Sequence, residues 1–88
     1  MEDTFGKRRP EIPYPCPWSY VLIGREEDLV RRAVAEILGA RRHALAKKNQ
    51  SQGGKYCSFE VELSVSDEPD RLSLFEAFKR HADITFVI

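Results

Sequence analysis

With 88 residues the chain has room for one domain, since single domains commonly run to about 100–150 residues. Apolar residues make up 42% and charged residues 32%, a globular mixture that argues against a disordered chain. The net charge of zero lacks the basic excess usual in a nucleic-acid binder, although residues 1–50 carry ten basic against seven acidic side chains and residues 51–88 four against seven.

Residues 1–12 are polar and aperiodic and are expected to form a flexible N-terminal tail ahead of a single domain over 13–88. Neither a secretory leader nor an apolar run of roughly 20 residues stands in the chain, so a soluble cytoplasmic protein is expected. Alternating Pro13, Pro15 and Pro17 enforce an extended lead-in. The run Trp18–Ile23 is rich in aromatic and β-branched residues and predicts a first strand ending at Gly24, with Trp18, Tyr20 and Leu22 on one face and Ser19, Val21 and Ile23 on the other.

Glu26, Glu27 and Asp28 suit the positive end of a helix dipole, and Leu29, Val30, Ala33, Val34, Ile37 and Leu38 follow at helical spacing up to Gly39. Residues 43–49 predict an edge strand guarded by Lys47 and Lys48, and Gly53-Gly54 a hairpin turn. From Lys55 to Val65 the alternation is clean. Cys57, Phe59, Val61, Leu63 and Val65 face one side, and Tyr56, Ser58, Glu60, Glu62 and Ser64 the other. Ser66 or Asp67 caps a second helix with Pro69 in its first turn and Leu72, Leu74, Phe75, Phe78 and Ala82 on its apolar side. A last strand is expected over 83–88, with Ile84, Phe86 and Ile88 sharing the buried face.

The order β-α-β-β-α-β predicts an α+β, ferredoxin-like sandwich: a four-stranded antiparallel sheet in order 4-1-3-2 with both helices on one face. The expected core joins Trp18, Tyr20, Leu22, Phe59, Val61, Leu63 and Phe86 to the helix stripes.

This fold hosts unrelated functions, so function has to come from sites. Cys16, Cys57, His43 and His81 lack the tight pairing of a zinc site, and neither cysteine has a neighbouring base, so no metal, cofactor or thiol chemistry is expected. RNA reading on the open sheet face needs paired aromatics; Tyr56 is one, but Ser58 stands at its partner position and Glu60 and Glu62 repel phosphate. A second route to nucleic acid, as the alternative function, is the basic doublets Arg31-Arg32, Arg41-Arg42 and Lys47-Lys48. Acylphosphatase-like chemistry would need a phosphate cradle, and Gly24-Arg25 is followed at once by three acids. A non-enzymatic role is therefore expected. Ser19, Val21, Ile23, Thr85 and Val87 are expected to form a lightly apolar face opposite the helices, open to a protein partner or a second copy.

The run Tyr14-Pro15-Cys16-Pro17-Trp18-Ser19-Tyr20, then Gly24, then Gly54-Lys55-Tyr56-Cys57-Ser58, Leu74-Phe75 and the closing Val87-Ile88 resembles the YbeD-like family of small bacterial proteins, a domain of unknown function. That resemblance, over about residues 13–88, implies a ferredoxin-like fold and similarity to ACT-type regulatory domains of amino-acid metabolism. Such domains bind small effectors near the loop after the first strand. The matching position here is Gly24, with Arg25 available for a carboxylate.

Overall fold

A computed structural model describes residues 12–50 and 52–88. The expected tail, apart from residue 12, lies outside the described residues. Strand β1 (Cys16–Gly24) leads into helix α1 (Glu27–Leu38), and strands β2 (Ala44–Gln50) and β3 (Cys57–Val65) form a hairpin. Helix α2 (Glu68–Arg80) and the two-residue strand β4 (Phe86–Val87) complete the chain. The sheet order is β2-β3-β1-β4, with all pairings antiparallel, which is the expected ferredoxin-like arrangement.

The long β1–β3 ladder is the spine, running from Cys16 opposite Val65 to Gly24 opposite Cys57. Because cross-strand partners share a face, the even residues of β1 and the odd residues of β3 point to the same side. Tyr20, Leu22, Cys57, Phe59, Val61, Leu63 and Val65 are buried there together with Val30, Ala33, Val34 and Leu38 of α1 and Leu74 and Phe78 of α2. Each fully covered Leu, Val or Phe contributes about 1.5–3 kcal/mol. The β2–β3 hairpin turns through Gln52–Gly54, where Gly53 at φ +84° adopts backbone that a side chain would strain. Asp67 caps α2, accepting the Asp70 N–H at 2.8 Å, and Pro69 sits in the first turn.

One expectation fails at the closing strand. Strand β4 sets Val87 opposite Leu22 and Phe86 opposite Ile23, so Val87 faces the helices and Phe86 the open side. Phe86 is 59% exposed and Ile88 74%, whereas Val87 packs against the core. The physical reason is the turn at residues 82–83. The Ile84 N–H returns to the His81 carbonyl at 3.2 Å, burying Ile84 before regular strand begins, and two-residue alternation does not carry across that turn. Trp18 points to the expected side but is only partly covered.

Candidate functional site

The face opposite the helices has two unlike halves. On β3 it shows Ser58, Glu60 and Glu62, and β2 adds Ala44 and Ala46 opposite Glu62 and Glu60. Lys48 lies 3.3 Å from Glu60, so this half is charged and internally compensated. On β1 and β4 the face is apolar: Val21 and Ile23 stand beside Ile88 and Phe86. Register pairs Ile23 with Phe86, and two backbone hydrogen bonds, 3.1 and 2.9 Å, tie Val21 to Ile88. Phe86 also joins Ile23, Tyr56 and Ser58 around a hollow of about 290 Å³.

Of the residues expected on this face, Ser19, Val21 and Ile23 are there. Val87 is not. It lies under the sheet against the core, and exposed Thr85, ahead of β4, shares its parity. Phe86, expected in the core, and Ile88, expected on the same side as Phe86, take their place.

Gly24 and Arg25 part company. A Cβ on Gly24 would collide with Val30 Cγ2 and stand 2.8 Å from the Asp83 carbonyl oxygen. The missing side chain makes room for the protein's own α1 and the turn before β4, which corrects the expectation that it admits a ligand. The Gly24 carbonyl in turn accepts the Cys57 thiol at 3.5 Å. Arg25 points outward, its guanidinium 5.6 Å from the centre of the Tyr56 ring, and with Lys55 it lines a notch of about 260 Å³.

The acids beyond Gly24 serve the fold as well. Glu27 accepts from Arg31 Nε and Lys47 Nζ, both at 3.1 Å, and those two hydrogen bonds, Lys47's first, hold its carboxyl below the usual range. With Lys48 on Glu60 and Arg41 on Asp70, each basic doublet has at least one member in an internal ion pair. Such pairing takes charge away from a phosphate-binding surface. Among the described residues no three His, Cys, Asp or Glu side chains gather as a metal site, and no helix is long and apolar enough to cross a membrane.

A second constellation was illegible in the sequence. The Arg71 guanidinium lies 4.5 Å over the Trp18 ring, and its Nε donates to the Tyr14 hydroxyl at 3.1 Å. The Tyr20 hydroxyl donates to the Arg71 carbonyl at 2.7 Å, and burial pushes its pKa above the ordinary value. These contacts bind the proline-rich lead-in and β1 to α2 across 57 and 51 residues of chain, a separation at which no local pattern signals contact.

A family model described as "Protein of unknown function (DUF493)" matches residues 9–88. The chain belongs to that family. It is the YbeD-like family that the aromatic and glycine motifs resemble. Among similar proteins, an uncharacterized Campylobacter jejuni protein is 34% identical over 76 residues, covering 86% of this chain and 87% of its own. An uncharacterized Helicobacter pylori protein is 35% identical over 71 residues, covering 78% and 80%. Two solution structures of protein HP0495 from Helicobacter pylori share the fold. One superposes with a TM-score of 0.82 at 26% identity, covering 100% of this chain and 97% of that one; the other gives 0.65 at 28%, covering 92% and 94%.

Proposed function

We propose that this DUF493 protein is a non-enzymatic regulatory or adaptor domain of the bacterial cytoplasm, which binds a metabolic enzyme through its open sheet face in the manner of an ACT-type domain. The observation that carries this reading is the pairing of Ile23 with Phe86, flanked by Val21 and Ile88. Exposed aromatic and aliphatic side chains side by side on a rigid sheet favour burial against another protein, while the paired Lys48 and Glu60 next to them supply a polar rim. Phe86→Glu tests it. The variant keeps its fold and loses association with the partner enzyme; association that survives both Phe86→Glu and Ile23→Glu removes the face from the reading.

A small effector has a narrower opening than the resemblance implied. Gly24 is occupied by packing, and what supports an anionic effector is Arg25 and Lys55, neither of which forms an ion pair among the described residues. Thermal stabilisation by an amino acid or other carboxylate, lost in Arg25→Ala, is the expected result.

A further inference from the structure

The outer margin of β1 is only half covered. Its even residues hydrogen-bond toward β3, so the N–H and C=O groups of its odd residues point to the β4 side. There the Ile23 carbonyl accepts from Thr85 at 2.7 Å, and Val21 exchanges both of its bonds with Ile88. The next outward-pointing residue, Ser19, has no backbone partner among the described residues, and beyond it lies Pro17, which carries an acceptor but no donor. Beside this stretch, between β1 and α2, a groove of about 340 Å³ is walled by Trp18, Phe75, Leu72 and Ile88. That volume is at the small end of the ligand-pocket range, about 300–1,000 Å³. Leu72 is 46% exposed at its lip, and Arg71 lies over Trp18.

We propose that this margin, which meets the open face at Ser19 and Ile88, is a second docking site that takes an extended segment of another protein as an added strand. Its occupant is specified by the groups left unmet. A strand laid along β1 accepts the Ser19 N–H and donates to the Ser19 and Pro17 carbonyls. Its alternate side chains, at the two-residue period of a strand, enter the groove on the helix side. The walls select an aromatic or aliphatic side chain at the position opposite Trp18, which shares its face. The missing Pro17 donor on one side and the Val21–Ile88 bonds on the other confine pairing to a short segment of about four residues.

A second copy offering its own β1 meets fewer of these groups, because with Ser19 set against Pro17 the proline lacks the N–H that the Ser19 carbonyl needs. Antiparallel pairing centred on Ser19 instead sets Pro17 against Val21 of the other copy, whose outward N–H and C=O already hold its Ile88.

The test pans a phage-displayed library of random heptapeptides on the full chain. The expected result is binders with alternating apolar residues that slow amide exchange at Ser19 at least tenfold. Leu72→Glu and Ser19→Pro each weaken them at least tenfold, while Phe86→Glu leaves them unchanged. Ser19→Pro removes a donor that no described residue uses, and should that variant not fold, Leu72→Glu and Ser19 exchange in the native chain decide. A library that yields no binder overturns the proposal, as do binders indifferent to Leu72→Glu with Ser19 exchange unaltered. Binders lost only in Phe86→Glu belong to the open face: they overturn the strand-addition site and leave the proposed function standing.

Discussion

Arg41 and Asp70 close a two-pronged ion pair across 29 residues of chain, Nη1 donating to Oδ1 at 3.0 Å and Nη2 to Oδ2 at 2.6 Å. The same Nη2 donates to the Ser64 carbonyl at 2.9 Å, and the Ser66 N–H donates to Asp70 Oδ2 at 2.9 Å. One guanidinium thus ties the loop after α1 to the end of β3 and the first turn of α2. Arg41, one of the basic residues that a nucleic-acid surface would need, is committed to the fold.

This clamp makes stability depend on pH at the acid end. The Arg41 hydrogen bonds, followed by the Ser66 N–H, lower the Asp70 pKa from 3.8 to about 2. Its contribution is therefore complete above the unfolded value and is lost as pH falls from about 4 to about 2. Asp70→Asn should cost about 1–2 kcal/mol at pH 6, discounted for partial solvent access, and urea titrations at descending pH should show the gap to the native chain closing over that window. A gap that stays constant down to pH 2 would contradict the assignment.

Gly24→Ala should destabilise the chain by about 1–3 kcal/mol, because the added methyl meets Val30 and the Asp83 carbonyl, one of them backbone. Each kcal/mol corresponds to roughly 4–8 °C in a domain of this size, so thermal denaturation resolves it. An unchanged Tm would mean that the space is open, and an effector contact at Gly24 would be back in play.

Neighbouring substitutions on β4 should behave oppositely. Val87→Glu buries a carboxylate against the core opposite Leu22 and should cost at least about 2 kcal/mol. Phe86→Glu lies on the open face and should change stability by about 0.5 kcal/mol or less. Denaturant midpoints of the two variants give a direct measure of strand parity, and the reverse ranking would restore Phe86 to the core.

Thiol labelling should distinguish the cysteines. Cys57 is buried, and burial pushes its thiol pKa up from 9.0, while Cys16 at the other end of the ladder is partly open. Under native conditions one thiol per chain should react quickly with an aromatic disulfide, and Cys16→Ser should abolish that phase. Two fast thiols would place Cys57 outside the core.

Most of the architecture was legible because it rests on long periodic segments. Nine residues of β3 alternate without interruption, so Phe59, Val61 and Leu63 could be assigned to one side from their spacing, and the apolar positions of α1 recur at helical intervals. A one-residue slip in such a segment would expose its entire apolar set, which is why local pattern and tertiary packing agree there. The closing strand has only two regular residues and follows a turn, so spacing held no information about which way Phe86 and Val87 point; pairing with Leu22 and Ile23 decided that. Contacts such as Arg41 with Asp70 and Arg71 with Trp18 and Tyr14 depend on where distant elements meet, and a charged or aromatic side chain reads the same in sequence whether it meets solvent or a partner across the fold. The sequence by itself therefore determined the layers and the buried faces through periodic burial, whereas the tertiary structure alone decided the apolar half of the open face and the unpaired margin of β1, because both arise from how β4 lies against β1.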